Sequence, residues 1–145
     1  MLIRHALPSD ASEIQALYGQ LISDSAIRVT AEGIEALRDD REALLLCEVD
    51  QVVAGTVMVH LCADVMYGMQ PFAVVENLVV DAPYRKRGVG AAMLAAIDQF
   101  CLAADCSKIM LLSSVHRTDA HRTFLRAGYA GDTKRGFVRY RREMR

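Results

Sequence analysis

The sequence predicts an α/β (α+β) fold: a mixed, mostly antiparallel sheet with one parallel strand pair, flanked by about four helices. Three observations predict it. Two apolar, β-branched runs, Ala43 to Val49 and Val52 to Cys62, are separated only by Asp50-Gln51, the length of a tight antiparallel hairpin. A third run, Phe72 to Asp81, passes through the basic turn Arg85-Lys86-Arg87-Gly88-Val89-Gly90 into a helix and then another strand, the crossover that joins parallel neighbours. Single apolar stripes at i, i+3, i+4 and i+7 mark helices that cover such a sheet on one side only.

Taken in order, Leu2 to His5 reads as a short first strand. Pro8-Ser9-Asp10 stops it, with Asp10 placed to cap the next helix and Glu13 to complete a capping box. Ile14, Leu17, Tyr18, Leu21 and Ile22 form the inward stripe of that helix. A weaker helix runs from Thr30 to about Asp39 on Ile34 and Leu37, with Gly33 counting against it. After the hairpin, Asp64 to Pro71 is loop, whose Met66, Tyr67 and Met69 either line a substrate entrance or fold back on the core. Beyond the basic turn, Met93, Leu94, Ile97, Phe100, Cys101 and Ala104 share one face of a helix over 89–104. Lys108 to Ser113 is the following strand. Thr118 caps a helix that ends at Gly128, and a left-handed Gly128 brings Tyr129 back onto Phe124. Gly136 to Arg142 alternates into a last strand, giving the order β-α-α-β-β-β-α-β-α-β.

With 145 residues, 52% of them apolar, the chain reads as a single domain over 1–145 with one substantial core. A net charge of -1 argues against nucleic acid as a partner. The basic cluster Lys134, Arg135, Arg139, Arg141, Arg142 and Arg145 reads as a solvated edge strand and tail. Met1 to Glu13 carries charges and no continuous apolar run, and no 18-residue apolar span occurs, so neither a signal peptide nor a membrane partner is expected. Cys47, Cys62, Cys101 and Cys106 lack a CxxC spacing and read as reduced thiols of a cytoplasmic protein. His116 and His121 lack the helix-face spacing of a metal pair and read as polar residues near a helix start, so no metal is expected.

The basic turn carries chemistry. A strand that ends in a glycine turn and opens a helix leaves the first helical N–H groups aimed at one spot of partial positive charge. Gly88 and Gly90 let the backbone approach a bulky anion, and Arg85, Lys86 and Arg87 surround it with cations. A pyrophosphate fits that description. The spacing matches neither the dinucleotide fingerprint nor the Walker loop. Upstream, Glu76 and Asn77 are adjacent polar residues in an apolar strand, so they lie on opposite faces or at a bulge.

The order Arg-x-x-Gly-x-Gly after Val75-Glu76-Asn77-Leu78-Val79-Val80-Asp81 resembles the acetyl-CoA-binding signature of the GNAT superfamily of N-acetyltransferases. Asp119 to Tyr129 is similar to that family's Ala-x-x-Phe-Tyr-x-x-x-Gly-Phe/Tyr segment, and the element order follows its architecture over nearly the whole chain. The resemblance implies a strand bulge where the parallel pair splays and the acetyl-pantetheine arm enters. It implies a backbone N–H near Leu78 that polarises the thioester carbonyl, and main-chain groups of Val79 and Val80 that pair with pantetheine. Arg85, Lys86, Arg87, Gly88, Val89, Gly90 and Ala91 would hold the diphosphate, with Phe124 also on the coenzyme side. Glu76 would face the amine, as general base or as electrostatic holder of the ammonium; otherwise it is a strand-edge partner for an arginine.

Two departures from the family pattern stand out. Phe124 occupies the place of the tyrosine that many members use as general acid, leaving water, Tyr129 or Tyr140, or no enzyme activity at all. Arg117 stands where an asparagine is frequent. The implied function is N-acetyl transfer from acetyl-CoA to a primary amine, small molecule or peptide, by direct attack in a ternary complex. The alternative is a non-catalytic acetyl-CoA-binding module of the same fold. A fainter similarity, around Arg117 to Arg122, is to aminoalkylphosphonate N-acetyltransferases, and a homodimer is common in the family.

Overall fold

The computed structural model describes residues 1–37 and 39–145. They group into two compact units, Met1–Leu111 and Leu112–Arg145. In the first, five strands run in the order β1 (Leu2–His5), β2 (Glu42–Val49), β3 (Val52–Cys62), β4 (Phe72–Val80) and β5 (Ile109–Leu111). All neighbours are antiparallel except β4 and β5, which are parallel. The β2–β3 connection is the tight turn expected, with Asp50 and Gln51 both left-handed at φ 51° and 66°, as a type I′ turn requires.

Alternation along the strands gives the sheet two apolar faces. On one, Leu44, Leu46 and Met58 pack with Ala6, Ile14 and Ile34, under helices α1 (Ala11–Leu21) and α2 (Ala31–Ala36). Against the other lies α3 (Val89–Ala103), burying Val89, Met93, Leu94, Ile97 and Cys101. No helix among the described residues is long and apolar enough to cross a membrane.

Several expectations change at element ends. Ile22 leaves the helical stripe, because it is the extended residue just past α1 and is exposed. The second helix covers 31–36 of the predicted 30–39; Thr30 caps it by accepting the Gly33 N–H at 3.0 Å, and Arg38 lies outside the described residues. Asp10 does not cap α1. Its carboxylate accepts the Leu7 N–H at 2.6 Å and takes a bidentate bond from Arg4, at 2.8 and 3.0 Å. Arg4 also donates to Glu48 at 2.7 Å, so β1, β2 and the turn before α1 are tied at one guanidinium.

That network sets an acid limit. The bond from Arg4 holds the Asp10 carboxyl below the ordinary carboxylate range, against the opposing effect of burial. A folded pKa below the unfolded value of roughly 3.9 stabilises the fold above that pH, and the contribution is lost as pH falls through the folded value. Asp10→Asn is expected to cost about 2 kcal/mol at pH 7. In urea unfolding the gap from the parent protein should begin to close as pH falls below about 3.9 and shrink further with acidification; a pH-independent gap would show that the charge plays no part.

In the second unit, α4 (Thr118–Arg126) ends in the predicted glycine cap. Gly128 has φ 92°, the Tyr129 N–H bonds Phe124 O at 3.1 Å and the Gly128 N–H bonds Leu125 O at 3.1 Å, the Schellman pattern. His121 reaches back from α4, with Nε2 2.9 Å from Ser114 O and 3.1 Å from Ser113 Oγ. A carbonyl only accepts, so Nε2 carries the proton and His121 braces the segment before the helix. The predicted last strand, Gly136 to Arg142, is not formed. Alternation needs a ladder partner to become a strand, and here Glu143 accepts the Tyr140 N–H while Arg139 bonds Glu143 O, curling the basic run into a short turn.

Candidate active site

The site begins with a register shift. β3 and β4 pair Met58 with Glu76 and Thr56 with Val79, so Asn77 and Leu78 together oppose the single residue Val57. This is a bulge, and Asn77 takes its left-handed conformation at φ 57°. Of the two arrangements open to Glu76 and Asn77, the structure has the bulge. Parallel pairing with β5 stops at Val75–Leu111, just before it. β5 is shorter than the predicted Lys108 to Ser113, its ladder with β4 ending where the bulge begins.

Which backbone groups face the resulting gap follows from the ladder. The Asp81 N–H bonds Ala54 O at 2.8 Å, which makes Gly55–Val80 a non-hydrogen-bonded pair. Val80 consequently turns its N–H and C=O away from β3, toward the side where β5 has stopped. Val79 turns its own toward Thr56. Of the expected pair, Val80 is the one whose main chain faces the gap, and Val79 contributes as part of the sheet.

Glu76 is exposed, on the face of the sheet that Met58 shares with α1. Tyr18, projecting from α1, hydrogen-bonds the Asn77 side chain. Burial pushes the Tyr18 hydroxyl up, with the Asn77 bond working against the shift, so the phenol stays protonated through the neutral range. Periodicity marked Tyr18 only as a core residue.

At the other end of the gap, Lys86 at φ 60° and Gly88 at φ 83° swing the chain into α3. Gly88 is the N-cap and, among the described residues, no side chain caps this helix. The first helical bond runs from the Ala92 N–H to Gly88 O, which leaves the amides of Val89, Gly90 and Ala91 pointing out of the helix start. Gly55 sets how closely α3 lies: a Cβ there would come within 2.8 Å of Met93 Cε, 3.0 Å of Val79 O and 3.2 Å of Val89 Cγ1.

The three cations differ. Arg87 lies over the Tyr84 ring at 5.1 Å and Lys86 is exposed beside it. Arg85 is not a loose charge: its Nε donates to Val80 O at 3.0 Å and its Nη2 to Gln20 Oε1 at 3.4 Å. Gln20 was outside every sequence pattern, since an exposed amide on a helix leaves no periodic trace. The loop residues Val65, Met66, Tyr67 and Met69 stand in solvent rather than folding back on the core. Phe124, on α4 of the second unit, is buried against Tyr129, ring centroids 6.3 Å apart.

A bulged strand, a parallel pair that ends beside it and a helix start without a side-chain cap are the features that mark this fold. Comparison with known proteins identifies its class. Residues 11–129 match the acetyltransferase (GNAT) family, and the chain belongs to it. It is 26% identical over 129 residues to the aminoalkylphosphonate N-acetyltransferase of Salmonella typhimurium, covering 88% of this chain and 83% of that protein. Its fold is similar to that of glucosamine-6-phosphate N-acetyltransferase from Arabidopsis thaliana, with a TM-score of 0.80 and 21% identity over 97% of both chains. It is also similar to that of AAC(6')-Iy in complex with a CoA-containing bisubstrate analogue, with a TM-score of 0.79 and 20% identity over 97% of both chains.

Proposed function

We propose that this chain is an N-acetyltransferase that passes the acetyl group of acetyl-CoA to a primary amine by direct attack within a ternary complex. The observation that carries the reading is the β4 bulge at Asn77 and Leu78, which lies between Glu76 and the stretch of β4 that leads through the glycine turn to the α3 amides. Acetyl-CoA supplies an activated thioester acyl group. Val89, Gly90 and Ala91, with Lys86, Arg87, Gly88 and the Arg85 backbone, bind its diphosphate. Leu78, Val79 and Val80 align the pantetheine arm, with the Leu78 N–H directed to the acyl oxygen.

Glu76 takes the proton from the ammonium, directly or through water. An alkylamine with a pKa of roughly 10 is otherwise mostly protonated and cannot attack. An acyl-cysteine route finds no support in the two buried thiols. Burial, with Cys106 alongside, pushes Cys101 up to about 12, and burial raises Cys47 too, so neither is a ready nucleophile. The leaving thiolate, of pKa roughly 8.5, departs without a side-chain acid and takes a proton from water. The Salmonella relative favours an acceptor amine that carries a phosphonate, for which Arg117 or Arg122 would be the cation. The reading takes residues 1–145 as one working domain in the cytoplasm, with neither nucleic acid nor membrane as a partner.

One observation favours a second reading, a non-catalytic acetyl-CoA-binding module: Phe124 has no proton to give where the family often has a tyrosine. Calorimetry with acetyl-CoA, paired with a free-thiol release assay over an amine panel including an aminoalkylphosphonate, separates the two. Amine-dependent CoA release is expected. Tight binding without release would leave the module, and no binding would remove both.

A further inference from the structure

We infer that Gln20 is a positioning residue for the coenzyme, fixing from the last turn of α1 the turn that presents the diphosphate-binding amides. The inference rests on the acetyl-transfer reading above. Gln20 Nε2 donates to Asp81 Oδ1 at 2.8 Å, while its Oε1 accepts the Ala82 N–H at 3.1 Å and Arg85 Nη2 at 3.4 Å. One amide thus holds both ends of the segment between β4 and the glycine turn. Arg85, braced by Gln20, closes the arrangement by donating to Val80 O at 3.0 Å, on the gap side of β4.

The segment needs such a brace. Lys86, a residue with a Cβ, sits at φ 60° two residues before left-handed Gly88. A left-handed non-glycine residue costs on the order of 1–2 kcal/mol and persists where its surroundings over-determine it. Within the segment itself the backbone provides one bond from Tyr84 N–H to Asp81 O and a longer one, at 3.3 Å, from Arg85 N–H to Ala82 O. The Asp81 N–H is also held by Ala54 O and Arg87 lies over Tyr84, and to these Gln20 adds three side-chain bonds that reach both ends of the segment. Only a side chain that donates and accepts at once can serve a carboxylate, an amide N–H and a guanidinium together; glutamate lacks the donor and lysine the acceptor. Gln20 is itself exposed, so its loss should alter the turn and leave the core packing intact.

The test compares the parent protein with Gln20→Ala, Gln20→Glu and the double exchange Gln20→Glu with Asp81→Asn, which swaps donor and acceptor. Each is titrated with acetyl-CoA by calorimetry and melted. Both single variants are expected to weaken binding about tenfold, with the same change in KM for acetyl-CoA, and to shift Tm by no more than about 2 °C. The exchange should return binding to within about threefold of the parent. A Gln20→Ala protein that binds like the parent overturns the inference and leaves the transferase reading standing, and an exchange as weak as Gln20→Glu also counts against it. A parent protein that does not bind acetyl-CoA removes the transferase reading, and the positioning role with it.

Discussion

Glu76→Gln is expected to lower kcat/KM for the amine by about 10²- to 10³-fold at pH 7, with the affinity for acetyl-CoA within about twofold of the parent. The substitution keeps the shape of the side chain and removes its capacity to take a proton. Glu76 lies at the bulge and not at the glycine turn, so the α3 amides proposed to bind the diphosphate are untouched. The pH profile adds a second check. Below its pKa of roughly 10, an alkylamine gains about tenfold in neutral fraction for each unit of rising pH. A variant lacking the base should therefore gain on the parent as pH rises towards 10. Equal rates at pH 7 would take Glu76 out of the reaction and return it to the role of a solvated strand-edge charge.

The second large effect is expected at Gly88. At φ 83° a valine is forced into a region that costs a β-branched residue about 1–3 kcal/mol. Relief by a shift to negative φ would turn the amides of Val89, Gly90 and Ala91 off their common target. Gly88→Val should weaken acetyl-CoA binding by about 30- to 100-fold in calorimetry. Gly88→Asn is the informative companion, because asparagine enters the left-handed region at less cost. It should lose only a few-fold. If both substitutions weakened binding equally, bulk at the N-cap and not backbone conformation would be the controlling factor.

What could be read from the sequence was mainly what is local. The hairpin at Asp50-Gln51, the helix over Val89 to Ala103 and the Gly128 cap each depend on a few neighbouring residues, and each formed where expected. The basic turn was legible for the same reason. The bulge was visible only as an anomaly, two polar residues in an apolar strand, since its position is a matter of register with β3, a property of two strands at once. Asp10 had the form of a helix cap, but the Arg4 guanidinium, which β1–β2 pairing also sets beside Glu48, and the Leu7 N–H made a stronger claim on it. The alternation over Gly136 to Arg142 had no ladder to join. Gln20 and the Tyr18–Asn77 bond were illegible because each depends on where the end of α1 meets the far half of β4.

Gly55 extends this dependence to the proposed coenzyme site. The standoff between α3 and the sheet is a hydrogen atom deep at that point, with Met93 and Val89 seated in the space a methyl would fill. The position of the α3 amides is therefore dimensioned by the interior of the protein, one layer beneath the proposed coenzyme-binding surface. Tuning of cosubstrate affinity, by evolution or by design, has a handle on the middle strand of the sheet, where inspection of ligand contacts alone would never look.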